Sequence, residues 1–294
     1  MSELSITESR NLNTINIDLM DSFEIVKTIN NEDKLIATAI ERVLPNIAQA
    51  VDAVANAFLA GGRLAYFGAG TSGRLGVLDA SEMLPTFGVD VSMVQGFIAG
   101  GEQALRHPVE NAEDSEEFAL QDLHRFAPMP HDVVIAISAN GNPAYCLKAL
   151  QEAKKAGSTT IAISSNPNAS IAEFADIFIN PVVGPEVITG SSRMKSGTAQ
   201  KMVLNMISTG AMIRIGKTYE NYMIDLQLTN KKLVERGLRF ISEICGIDKE
   251  TAQKYLKESG SNVKTACVMA RKKCSKEQAE KLLAAHNGIL RKVI

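Results

Sequence analysis

The apolar positions of this chain follow two different periods. Between Asp21 and Leu59 they recur as on a helix: Ile36, Ile40, Val43, Leu44, Ile47, Val51, Val54 and Phe58 form one stripe. Pro45 interrupts the stripe. A proline there removes an amide donor and crowds the preceding turn, so the helix is expected to kink or divide. Gly61 and Gly62 end it. Five short, nearly continuous apolar runs follow, at Leu64–Phe67, Val91–Phe97, Val133–Ile137, Thr160–Ile163 and Ile177–Asn180. Helical stretches separate them, near Gly73–Leu84, Asn111–Asp122, Pro143–Ala156 and Ser170–Phe174. Such alternation predicts an α/β fold with a parallel sheet covered on both faces. A longer helix, about Ser196 to Ile215, closes the unit.

From about Asn230 the pattern changes to Lys, Glu and Ala with no strand signal. Four helices fit: Lys232–Ile244, Lys249–Ser259, Ser261–Lys272 and Ser275–Ala285. Asp248 and Ser275 read as helix starts, Gly246 and Gly260 as stops. At the other end, residues 1–17 are polar and read as a disordered tail.

Composition narrows the function. The 294 residues carry 31 Lys and Arg against 33 Asp and Glu, and no Trp. A nucleic-acid binder working by charge needs a basic excess, and base stacking needs aromatic platforms. Neither is present. The four cysteines contain no CxxC pair and read as reduced thiols. His107, His124, His131 and His286 lack metal-ligand spacing, so no metal is expected. The start has no signal-peptide pattern and no run reaches membrane-span length, which predicts a cytoplasmic protein.

Three polar segments carry candidate chemistry. The first run leads into Gly68-Ala-Gly-Thr-Ser-Gly73, a strand-to-helix turn whose amides and helix dipole suit an anion. The string also fits the dinucleotide fingerprint, which expects an acid at the end of the second strand. None stands there before Glu102, and the loop offers the hydroxyls of Thr71 and Ser72. A phosphate monoester therefore fits better than NAD, with Gly70, Thr71, Ser72 and Gly73 as its contacts. The second segment, Ser138-Ala-Asn-Gly-Asn142, follows the third strand; Ser138, Asn140 and Gly141 grip a phosphate or merely cap a helix. The third, Glu186 to Lys201, opens the long helix and contributes Ser191, Ser192, Arg193 and Lys195. It is a substrate surface or a capped helix with a basic face. Glu82 and Glu113 stand near these segments, and by default a helical Glu is a solvated charge.

Longer strings carry a family resemblance: Thr7-Glu-Ser-Arg-Asn11, Asn31-Glu-Asp-Lys34, Gly68 through Gly76, Leu78 through Glu82, Ile98 through Glu102, Ala112 through Ser115 and Thr189 through Lys195. The chain resembles the N-acetylmuramic acid 6-phosphate etherases almost end to end. The resemblance implies a sugar isomerase (SIS) fold, a three-layer sandwich around a five-stranded parallel sheet. It divides the chain into an N-terminal dimerisation arm (1–60), the SIS domain (61–230) and a helical domain similar to ubiquitin-associated domains (231–294). It implies a homodimer with sites near the subunit interface, no cofactor, and loss of D-lactate to leave N-acetylglucosamine 6-phosphate. Carried over by motif, Glu82 is the acid for the lactate oxygen and Glu113 the base at C2, or the reverse.

A working acid needs a raised pKa, so Glu82 is expected to be poorly solvated. Ten residues of continuous helix place it roughly 15 Å beyond Ser72. It therefore either folds back or serves a site across a dimer interface. Asn140 and Pro143 stand where the family carries Ser and Thr, which puts more weight on the first loop. Thr7 and Glu8 suggest an arm ordered against a partner subunit. Two other readings stay open: a regulator that binds a sugar phosphate without turnover, and an aldose–ketose isomerase.

Overall fold

The computed structural model describes residues 5–294. By packing, the chain divides into two units: the part up to Ser81 with Ser92–Thr209, and Glu82–Val91 with Gly210–Ile294.

The first unit starts with an arm of three short 3-10 turns, Ile6–Glu8, Leu12–Thr14 and Ile17–Leu19. The expected disordered tail is thus ordered over its described part, and it packs on its own chain. Thr14 donates to the Val187 carbonyl at 2.8 Å, and Asn11 Nδ2 reaches the Pro185 carbonyl at 3.2 Å. Residues 1–4 of that expectation lie outside the described residues. Helix α1, Ser22–Glu41, opens with a reciprocal cap between Asp21 and Glu24. Helix α2, Leu44–Leu59, restarts with Pro45 in its first turn, where a missing amide costs nothing. The division expected at Pro45 is therefore a clean break.

Strand β1 (Leu64–Gly68) leads into α3 (Gly70–Ser81), and α4 (Met83–Phe87) follows in the second unit. The helix expected to run from Gly73 to Leu84 begins earlier and ends at Ser81. Pro85 is the reason: it has no amide to bond the Ser81 carbonyl, and its ring crowds that group. Strand β2 (Val94–Ile98) is followed by α5 (Gly101–Arg106), which the apolar pattern does not show. The helix expected from Asn111 splits into a 3-10 turn, Ala112–Asp114, and α6, Glu116–Phe126, capped by Ser115. Strand β3 (Val133–Ile137), helix α7 (Ala144–Lys155), strands β4 (Thr159–Ile163) and β5 (Ile177–Ile179), and helix α8 (Lys195–Arg214) complete the series. The Ser170–Phe174 stretch is a 3-10 turn.

The sheet is parallel, in the order β2-β1-β3-β4-β5. The order reverses between β1 and β3, so the loops after these strands diverge and leave a crevice at their carboxyl ends. Each face of β1 carries an aromatic residue that fixes a covering helix. On one face Phe67 stacks on Phe97 with centroids 4.9 Å apart, next to Tyr145, whose hydroxyl donates to Asp122 at 2.7 Å. On the other, Tyr66 donates to Asp79 of α3 at 2.8 Å. Asp79 also accepts from Asn205 and Ser208 of α8, so α3 and α8 share one buried carboxylate.

The second unit adds a hairpin, β6 (Thr218–Tyr219) with β7 (Tyr222–Met223), and helices α9 (Lys231–Cys245), α10 (Lys249–Glu258), α11 (Val263–Lys272) and α12 (Lys276–Ala285). Asn230, Asp248, Asn262 and Ser275 each accept an amide of the following first turn. These caps set the four helix starts. Their apolar faces close over one core that includes Phe240, Ile241, Leu256 and Val268. Lys264 is buried here, 2.7 Å from Asp225. Burial pulls its pKa down, against the attraction of that carboxylate.

Candidate active site

The crevice at the sheet's switch point is built from three loops of the first unit. The loop after β1 turns sharply at Gly70, with φ +52°, into α3. Gly68 and Gly73 press together: a Cβ on Gly73 would lie 2.5 Å from the Gly68 carbonyl oxygen. Only glycine lets the first turn of α3 sit this close to the strand. The amides of Gly70, Thr71 and Ser72 belong to that turn, where no intrahelical acceptor exists, and they find no other backbone acceptor among the described residues. Such amides and the helix dipole favour an anion. The Ser72 hydroxyl is buried and donates to Gln200 Oε1 at 2.9 Å.

The loop after β3 is tied by its own hydrogen bonds. Ser138 Oγ accepts the Gly141 amide at 3.0 Å and donates to Asn140 Oδ1 at 3.2 Å. Asn140 Oδ1 also accepts the Asn142 amide at 3.1 Å. Asn140 Oδ1 is therefore used within the turn.

The third loop, before α8, brings Ser192 alongside. Glu186 accepts the amides of Lys195 and Ser196, both at 2.9 Å, and so occupies the α8 N-terminus with a carboxylate of the chain itself. Of the two neighbouring helix starts, only that of α3 remains open to a ligand.

The resulting cleft has a cavity volume of about 160 Å³ and is lined by Thr7, Glu8, Gly70, Thr71, Ser72, Glu113, Ser138, Asn140 and Ser192, among others. Glu113 arrives on the 3-10 turn after Asn111, whose φ of +58° redirects the chain toward the cleft. A second cavity adjoins the first across Gly70 and Glu113 and includes Arg74.

The structure thus brings together Gly70, Thr71, Ser72, Glu113, Ser138, Asn140 and Ser192. Gly73 and Gly141 shape the loops. Ser191 is not part of the lining. Two expectations need correction. Lys195 is not a substrate contact: its ammonium is buried, 1% exposed, and pairs with Glu32 at 2.6 Å. On the single chain Glu82 is exposed rather than poorly solvated, at the break between α3 and α4.

The chain is 53% identical over 283 residues to an N-acetylmuramic acid 6-phosphate etherase of Glaesserella parasuis serovar 5 (strain SH0165), covering 96% of this chain and 93% of that one. It belongs to the N-acetylmuramic acid 6-phosphate etherase family. An etherase of Edwardsiella ictaluri (strain 93-146) is 53% identical, covering 97% of this chain and 95% of that one. One of Clostridium botulinum (strain Hall / ATCC 3502 / NCTC 13319 / Type A) is 50% identical, with 97% and 94% covered. Residues 107–210 match the SIS domain, 46–154 the glucokinase regulatory protein N-terminal SIS domain, and 220–264 the C-terminal lid domain of that regulatory protein. A structure from Bacteroides fragilis NCTC 9343, assigned as a phosphosugar isomerase involved in capsule formation, shares the fold. Its TM-score is 0.51 at 17% identity, with 72% of this chain and 96% of that one covered.

The etherase-family cleft also contains residues that pattern reading missed or misplaced. Thr7 and Glu8 reach it from this chain's own arm, where their string had suggested contact with a partner subunit. Gln200 supports Ser72 from α8, and only its one-turn spacing from Ser196 hints that both share a face.

Proposed function

We propose that this chain is an N-acetylmuramic acid 6-phosphate etherase, a carbon–oxygen lyase that acts in the cytoplasm on cell-wall amino-sugar phosphates. The observation that carries the reading is half-or-better identity to etherases over nearly the whole chain.

In this reading the 6-phosphate sits on the first-turn amides of α3 with Thr71 and Ser72. Ser138, Asn140 and Ser192 flank it. The opened sugar carries an aldehyde at C1, which acidifies the C2 proton. Glu113 removes that proton, the C3–O bond breaks, and the departing D-lactate oxygen takes a proton from an acid. Water then adds at C3 of the unsaturated aldehyde and a proton returns to C2, which gives N-acetylglucosamine 6-phosphate. Substrate plus water equals the two products, so no redox partner is required.

Glu82, the acid implied by the motif, is exposed on a single chain. We assign it to the cleft of a partner subunit in a homodimer. Exposed Leu12, Leu19, Phe23 and Val26 on the arm and α1, 58–80% accessible, supply an apolar face for a second copy.

The test is incubation with N-acetylmuramic acid 6-phosphate and an assay for D-lactate. Release by the wild type, and at least a hundredfold less by Glu113→Gln, is expected for loss of a general base. No lactate above the Glu113→Gln control would refute the assignment. The match of 220–264 to a regulatory protein's lid favours a binding-only reading, which predicts sugar-phosphate affinity without lactate release.

A further inference from the structure

Behind the phosphate loop lies a buried polar group that substrate cannot touch. Gln200, on the face of α8 that packs under α3, is 1% exposed. Its Oε1 accepts the Ser72 proton at 2.9 Å, while its Nε2 is buried with no partner among the described residues. Ser196 lies one turn earlier on the same helix face, and its hydroxyl is likewise buried without a partner among the described residues.

In this arrangement the only proton of Ser72 points into the protein, and what the hydroxyl offers the cleft is lone pairs. A phosphate dianion is itself acceptor-only and would be repelled. Rotating the Gln200 amide by half a turn exchanges its oxygen and nitrogen. Nε2 then donates to Ser72 Oγ, gaining the partner it lacks, and the Ser72 proton becomes free to point into the cleft. Terminal amide torsions are broad and roughly two-fold, so the rotation needs little room.

We propose that Gln200 is a positioning residue for anion binding. One amide orientation turns its oxygen toward Ser72, as in this structure. A bound phosphate monoester selects the rotated amide, making the chain Gln200 Nε2–H to Ser72 Oγ–H to phosphate oxygen. This rests on the reading of the cleft as a sugar-phosphate site. It accounts for the placement of an amide, which both donates and accepts, where a carboxylate or an apolar side chain would do only one or neither.

The test is binding of N-acetylglucosamine 6-phosphate by calorimetry to the wild type, Gln200→Met, Ser72→Ala and the double variant. Met keeps the length of the side chain and removes both hydrogen-bonding roles. Each single change is expected to weaken binding about tenfold, the worth of a charge-assisted hydrogen bond. The double variant should bind no worse than Ser72→Ala, because the amide acts only through that hydroxyl. Gln200→Glu serves as a second variant. Its carboxylate accepts the Ser72 proton and donates nothing, so it should bind more weakly than Gln200→Met.

Unchanged affinity in Gln200→Met, or losses that multiply in the double variant, would overturn the relay while leaving the site reading intact. A wild type that binds no sugar phosphate would overturn the site reading and the relay together. Because the readout is affinity, a protein that binds without cleaving still tests the relay.

Discussion

Gly70 and Gly141 stand in the two loops that frame the cleft, and both have positive φ, +52° and +77°. Their surroundings differ. A Cβ on Gly141 would lie 2.2 Å from that of Ala169, whereas one on Gly70 would meet nothing within 4 Å. Gly141→Ala therefore combines left-handed strain with overpacking and should cost about 2–4 kcal/mol. Gly70→Ala carries the strain alone, about 1 kcal/mol. Denaturant titration of the two variants checks the ranking, and equal losses would show that the Ala169 contact relaxes freely. The same contrast separates what the residue string reveals from what it hides. The glycine and hydroxyl loops are local features and could be read directly. Lys195 could not, because the partner that removes it from the cleft, Glu32, lies 163 residues earlier in the chain. Glu82 misled for a related reason: motif likeness implied its chemistry, but solvation depends on what surrounds the break made by Pro85.

The N-terminal arm is held by Glu32 of α1. Its carboxylate receives Lys195 at 2.6 Å, Asn11 at 2.8 Å and Asn13 at 3.0 Å. Burial resists ionisation of Glu32, but the hydrogen bonds from Lys195, Asn13 and Asn11 outweigh it and hold the pKa below the ordinary 4.5. With the folded pKa depressed, this stabilisation is complete above the unfolded value and is lost as pH falls through the folded one. Hydrogen exchange over residues 5–19, corrected for intrinsic rates, should therefore rise below about pH 4.5. Glu32→Gln should expose the arm already at neutral pH, at a cost of about 3–5 kcal/mol, because Lys195 is left buried and unpaired. An arm equally protected at both pH values would show that other contacts hold it. Among the elements, strands were the most legible, since a strand buried on both faces is a bare apolar run. Pro45 likewise announced its break. Helix α5 and the turns of the arm were not legible. They are short, they lack a periodic stripe, and tertiary hydrogen bonds such as those to Glu32 hold them in place.

At the level of the whole molecule the open matter is how two carboxylates come to serve one substrate. Within a single chain the cleft contains Glu113 and Glu8, while Glu82 lies exposed in the second unit. If Glu8 were the acid, each chain would be complete and the exposed apolar residues of the arm would be incidental. If the acid is Glu82 of the partner subunit, each site is built from two chains, and variants defective in different glutamates must complement. In an isologous dimer, Glu82→Gln mixed with Glu113→Gln forms heterodimers in which one site carries both substitutions and the other carries neither. Random exchange at equal concentrations makes half of the dimers mixed and restores half of the sites in each. Lactate release should then recover to about a quarter of the wild-type rate. Either variant alone should stay inactive, and cross-linking the dimers before mixing should abolish the recovery. A mixture as inactive as its components would place the whole reaction within one chain. Glu8→Gln would then become the decisive variant, because no other carboxylate among the described residues lines the cleft beside Glu113.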